Sequence, residues 1–151
     1  MIPLLLLASV VAPGATFTCT PVAVWDGDGP IWCAEGPRIR LEGIAAREMD
    51  ETCRPGHPCP RASGRAARDH LVALLGGVRG TLRTGHIVVR GSPLTCVSNG
   101  SAKGSRTGAL CRSPDVGDLS CAMVRDGYAL AWARYGGNRL CRSARTSSTR
   151  R

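Results

Sequence analysis

Residues 38–48 read RIRLEGIAARE. Ile39 and Leu41 alternate with Arg38, Arg40 and Glu42, so the stretch opens as a strand with one apolar and one charged face. Gly43 breaks it, and Glu48 ends it at the head of an acidic loop. An arginine and a carboxylate at the two ends of a strand-to-loop step suit work on phosphate. A guanidinium presents paired donors to phosphate oxygens, and a carboxylate within reach of water can take its proton. Between these two residues a metal site would want another acid, and the chain has Ala45, Ala46 and Arg47 instead.

Upstream, FTCTPVAVW (17–25) is apolar and β-rich, and DGDGP (26–30) is a turn signal. IWCAEGPRIRLEGI (31–44) supplies one or two further strands about a Gly-Pro turn, so three strands on short turns predict a meander. Downstream, residues 49–60 form a loop rich in proline and acids. SGRAARDHLVALLG (63–76) predicts a helix with Ser63 as N-cap, Ala67, Leu71, Leu74 and Leu75 on one face, and a stop at Gly76. His70 lies beside that face. Short β-like runs follow at 80–84, 86–91 and 94–97, with His86 opening the second, then a polar loop over 98–108 and ALCRS (109–113). Asp118 is placed to cap a second helix ended by Gly127, and 128–135 reads as a third short helix or an extended segment. The pattern predicts one α+β domain: a small barrel with about three helices packed on it.

The 151 residues include only six aromatics, so the core must be built from Leu, Val, Ile and Ala. The net charge is +9, and every basic residue except Lys103 is an arginine. Five arginines and no acid lie in 139–151. This balance favours a nucleic acid or another phosphate polyanion as partner. The opening MIPLLLLASVVAPGA has the length of a signal-peptide core and is too short to span a bilayer as a helix, although it carries no Lys or Arg. The expected organisation is therefore a signal peptide over 1–15, a domain over 16–138 and a basic tail over 139–151, exported to the periplasm or secreted. A monomer without a transmembrane segment is expected. The eight cysteines all follow the leader: Cys19, Cys33, Cys53, Cys59, Cys96, Cys111, Cys121 and Cys141. An even count in a small exported chain reads as four disulfides. Sequence leaves their connectivity open, with Cys53–Cys59 the favoured pair and Cys19–Cys33, Cys96–Cys111 and Cys121–Cys141 as neighbouring bridges. The CRPGHPC spacing of Cys53, His57 and Cys59 does not match paired zinc ligands.

Four segments, in order, resemble the staphylococcal nuclease-like (thermonuclease) family: VWDGDGP (24–30), RIRLEGIAARE (38–48), GRAARDHLVALL (64–75) and KGSRTGALC (103–111), with DLSCAMVRDGYALAW (118–132) following. The resemblance covers roughly residues 20–135. It implies a five-stranded OB-type barrel with three helices and calcium-assisted hydrolysis of phosphodiesters in DNA or RNA. Carried over by position, Asp28 matches a calcium-ligating carboxylate, Arg40 a phosphate-contacting arginine, Glu48 the general base and Arg106 the arginine that stabilises the transition state. Lys103 and Tyr135 fall where the family contacts the nucleotide.

The chain departs from the family at telling positions. Ala45 stands where the second calcium carboxylate is expected, Arg47 where a proline is usual, Gly29 for a threonine, and Gly104-Ser105 for Tyr-Gly. Asp26, Asp50 and Glu51 are the nearby acids that could replace the lost oxygen. Alternatively Arg47 could substitute its cation for calcium, giving a phosphate pocket of Arg40, Arg47 and Arg106. The leading expectation is metal-assisted phosphodiester hydrolysis weakened by Ala45. The alternatives are a non-catalytic nucleic-acid or phosphate-binding module, or a protein-interaction domain of the cell envelope.

Overall fold

The first apolar run does not form one straight strand. In the computed structural model, which describes residues 9–141, it divides into β1 (Thr16–Cys19) and β2 (Pro21–Val24). Proline at 21 has no N–H to continue the ladder, while Thr20 turns its amide and hydroxyl to the Glu35 carboxylate, both at 2.7 Å. β1 therefore pairs with the strand Leu94–Ser101 on one side, and β2 pairs with the strands Ile31–Cys33 and Ile87–Val88 on the other. A strand shared this way curls the sheet.

The expected meander is present. β2, β3 (Ile31–Cys33) and β4 (Arg38–Leu41) lie side by side and antiparallel. β5 (Ile44–Ala45) follows, then the loop and α1 (Gly64–Leu74). Ser63 caps α1, its hydroxyl accepting from the Ala66 amide at 3.0 Å. Ala67, Leu71, Val72 and Leu75 are buried. β6 (Gly80–Thr81) and β7 (Ile87–Val88) are shorter than the runs that suggested them. β8 (Leu94–Ser101) and β9 (Arg106–Ser113) form the longest hairpin. The polar loop expected over 98–108 is thus confined to 102–105. Along β8, burial alternates strictly, with Leu94, Cys96, Ser98 and Gly100 facing in. A period of two survives there although half the residues are polar.

β9 runs parallel to β4, with Arg38 opposite Arg106 and Arg40 opposite Gly108. β10 (Gly117–Asp118) pairs with β9 and leads into α2 (Leu119–Arg125), whose first turn is capped by Asp118 accepting from Cys121 at 2.9 Å. β11 (Leu130–Ala131) pairs with β5, and a 3-10 turn at Ala133–Tyr135 and α3 (Gly137–Leu140) close the described chain. Among the described residues nine strands form the main curled sheet, whose hydrogen-bonded order runs from β1 to β6. The fold is α+β, as expected; its sheet has more strands than the five anticipated.

Ile31, Ile39, Leu41, Ile44, Leu71 and Leu119 are among the fully buried core side chains. All four neighbouring cysteine pairs form disulfides: Cys19–Cys33, Cys53–Cys59, Cys96–Cys111 and Cys121–Cys141. They fit folding in an oxidising compartment, and each adds roughly 2–4 kcal/mol to a core poor in aromatics. No described helix is long and apolar enough to cross a membrane. Most of the expected leader, residues 1–8, and the tail beyond Cys141 lie outside the described residues. Val11 is joined to the hairpin, its amide donating to Thr107 Oγ1 and its carbonyl accepting from Ser98 Oγ.

Candidate phosphate-binding cleft

The DGDG turn is folded tightly onto the strand beside it. Gly29 has a φ of 111°, and a Cβ there would press into the Ile39 carbonyl oxygen. A threonine cannot be accommodated at this position. The turn buries Asp26 and Asp28 at 5% and 8% exposure. Asp28 Oδ2 accepts from the Ala46 amide at 3.1 Å and from Arg40 at 3.3 Å. Arg40 also donates to the Leu41 and Ile44 carbonyls at 2.7 and 3.1 Å. Its guanidinium is largely consumed in tying β4, β5 and the turn together.

Asp26 Oδ1 accepts from the Asp28 amide at 3.3 Å. Burial pushes its carboxyl up to about 9, helped by the neighbouring Asp28 and Glu48 charges, so it is protonated at neutral pH.

Glu48 is presented by the loop between β5 and α1. Gly64, the first residue of α1, packs on the Glu48 backbone so closely that a Cβ would collide with the Glu48 carbonyl. Glu48 pairs with Arg54 at 3.4 Å. Arg47 does not enter the cleft. It donates to the Pro60 and Glu51 carbonyls at 2.7 and 2.9 Å, knitting the loop from behind. The three-arginine pocket of Arg40, Arg47 and Arg106 is thus not formed; Arg54, not Arg47, lines the cleft with Arg40 and Arg106. Of the other candidate acids, Asp50 is turned to Thr52 and Glu51 to the Gly64 amide. Cys53 and Cys59 are joined to each other, so no zinc site involves them.

Asp26, Asp28, Arg40, Glu48, Arg54 and Arg106 line one narrow cleft of about 90 Å³. Two wider cavities open from it. One, about 370 Å³, contains Lys103, His57, Trp132 and Tyr135. The other, about 570 Å³, contains Trp25, Trp32, Arg38 and His86. Arg54 and Arg106 line all three. The ion pairs among the described residues engage Arg40 and Arg54 with carboxylates but not Arg106, Lys103 or Arg38. Aromatic rings flank the cations: His57 and Tyr135 lie 4.3 and 4.7 Å from Trp132, and Arg40 lies 5.7 Å over it.

Asp28, Arg40, Glu48 and Arg106 therefore share the inner cleft, and Lys103 and Tyr135 line the cavity beside it. His70 lies elsewhere, stacked on Tyr128 and bonded to Asp126 at 2.8 Å. Sequence reasoning passed over Arg54, Trp132, Trp25 and Trp32, weighed His57 only as a zinc ligand and read His86 only as the start of a β-like run. The one available signal was a disulfide-closed loop containing both an arginine and a histidine.

The donor set does not fit calcium. Ala45 is fully buried and has no side-chain oxygen, and the inner Asp28 oxygen is committed to Arg40 and Ala46. Among the described residues no three Asp, Glu, His or Cys groups converge as a metal site would need. Neither the protein-family models nor the curated proteins include a match to this chain.

Proposed function

We propose that the protein is an exported, divergent thermonuclease-like domain that binds nucleic acid through its phosphodiester backbone, without calcium. The observation that carries this reading is the convergence of Arg54 and Arg106 on all three adjoining cavities, with Lys103 beside them. A phosphate entering there meets guanidinium donors whose bidentate geometry suits its oxygens. Trp132 and Tyr135 give the attached base an aromatic face. The β2–β3–β4 meander and the parallel return of β9 onto β4 support an OB-type ancestry for the sheet. The disulfides support export through an N-terminal leader.

Hydrolysis is the second reading, favoured by Glu48 standing in the same cleft as Arg106. In that reading Glu48 accepts the proton of a water that adds to phosphorus. Arg106 and Arg54 offset the charge on the equatorial oxygens, and the ester oxygen leaves with a proton from solvent.

The test is titration of a labelled oligothymidylate in chelator, at several salt concentrations. Binding should persist, weaken with salt, and fall at least about tenfold in Arg106→Ala, as loss of a charge-assisted contact of about 1.5–3 kcal/mol requires. Binding that needs calcium would refute the reading. Chelator-resistant cleavage abolished by Glu48→Gln would establish the hydrolytic form.

A further inference from the structure

The cavity of about 570 Å³ shares Arg54, Lys103 and Arg106 with the cavity that holds Trp132 and Tyr135, and the proposed phosphate site leaves its own rings without a role. It is lined by Trp25, Trp32, His86 and Arg38, and by the shared Arg54, Lys103 and Arg106. Among the described residues, four cations and no carboxylate line this space. His86 stands between the two tryptophans, 4.9 Å from Trp25 and 4.2 Å from Trp32. Arg38 lies 4.5 Å over the Trp32 ring.

These rings are held for reasons legible in the fold. Trp25 follows β2, Trp32 is central in β3, and Arg38 is its cross-strand partner in β4. His86 precedes β7, which pairs with β2, and its Nδ1 is bonded to Thr84 Oγ1 at 2.6 Å. The imidazole is kept below its ordinary range by burial and by Arg38, so it stays an uncharged ring at neutral pH. All four side chains are only half-buried or exposed, although two of them are tryptophans. Two half-buried indoles, one of them under a guanidinium, around a cavity that no described acid lines, suit a planar base carrying a phosphate.

We infer that Trp25, Trp32, His86 and Arg38 form a second nucleotide subsite, which stacks the base adjoining the one at Trp132 and Tyr135. This rests on the proposed phosphate site. It makes the ligand a strand with unpaired bases crossing the Arg54–Arg106 junction, with one stacking face in each cavity.

The experiment measures affinity in chelator for thymidine 5′-monophosphate and for labelled oligothymidylates of two, four and eight nucleotides. It uses wild type, Arg38→Ala, Trp32→Ala and Trp32→Leu, the last keeping apolar volume at β3. The expected result is that affinity rises at least about tenfold from mononucleotide to tetranucleotide. Each variant should lose roughly five- to a hundred-fold on the tetranucleotide, the range for one stacking contact, and less than about twofold on the mononucleotide. Mononucleotide binding without gain on lengthening, or variants indistinguishable from wild type on the tetranucleotide, would overturn the subsite and leave the phosphate site standing. Absence of binding to every probe would overturn both. Equal affinity for a duplex or for polyglutamate of matching charge would show charge alone at work and also overturn the subsite.

Discussion

Arg40 is the residue for which sequence and geometry assign different work. By position it should contact phosphate; by its bonds it is a clamp. Its guanidinium donates to two carbonyls and to the Asp28 carboxylate, and the two side chains are 19% and 12% exposed. Replacing Arg40 with methionine keeps the apolar stem and removes all three bonds. It leaves the Leu41 and Ile44 carbonyls unpaired and Asp28 with only the Ala46 amide. Breaking a buried ion pair from one side costs about 3–5 kcal/mol. Some exposure lowers this, so a loss of about 3 kcal/mol is expected. Asp28→Asn, which keeps an acceptor for Ala46, should cost about 2 kcal/mol, and the double variant about 1–2 kcal/mol less than the sum, because the two side chains are in contact. Urea unfolding with disulfides intact gives all three numbers, and a midpoint in temperature lower by roughly 10 °C for Arg40→Met provides a second check. Oligonucleotide affinity of folded Arg40→Met should fall less than that of Arg106→Ala. An Arg40→Met protein within about 0.5 kcal/mol of wild type and yet more impaired in binding than Arg106→Ala would refute the clamp.

Two further outcomes follow from the same cleft. The Asp26 carboxyl titrates at about 9 when folded against 3.8 for the ordinary group, so the unfolded chain releases that proton first. Stability is greatest below about pH 4 as far as this group is concerned, and falls as pH rises towards 9 by at most about 1.4 kcal/mol per unit. Asp26→Asn should remove that slope, and urea titrations at pH 5, 7 and 8.5 that keep it would disprove the assignment. Ala45→Asp buries a new carboxylate at a fully enclosed position, so it should lower stability by about 3 kcal/mol in chelator and regain part of this with millimolar calcium. Calcium-dependent cleavage is expected only of the variant; equal cleavage by wild type would show that the donor set was misjudged.

Local structure was readable because it depends on local rules. Ser63 caps α1, Asp118 caps α2, and the meander forms about the expected turns, since each needs only a few consecutive residues of the right kind. The neighbouring cysteine pairs follow from the same short-range organisation: Cys96 and Cys111, for example, face each other across one hairpin. The misreading of 98–108 as a loop has a local cause too, because polarity masked the alternation that burial reveals along β8.

The sequence by itself thus offered Asp28, Arg40, Glu48 and Arg106 as candidates for a phosphate site, the order in which they occur and the alanine at position 45. Tertiary structure alone decided which of them meet. Arg47 and Arg54 are seven positions apart in one loop, and nothing in their local pattern says which turns inward. The fold directs Arg47 to the Pro60 and Glu51 carbonyls and Arg54 to Glu48. The aromatic groups come from the residue after β2, from β3, the approach to β7 and the segment after β11, which are brought together only by curling the sheet and pairing β5 with β11. A long side chain reaches several ångströms from its backbone, so its partner depends on contacts remote in sequence, which no periodicity or cap encodes.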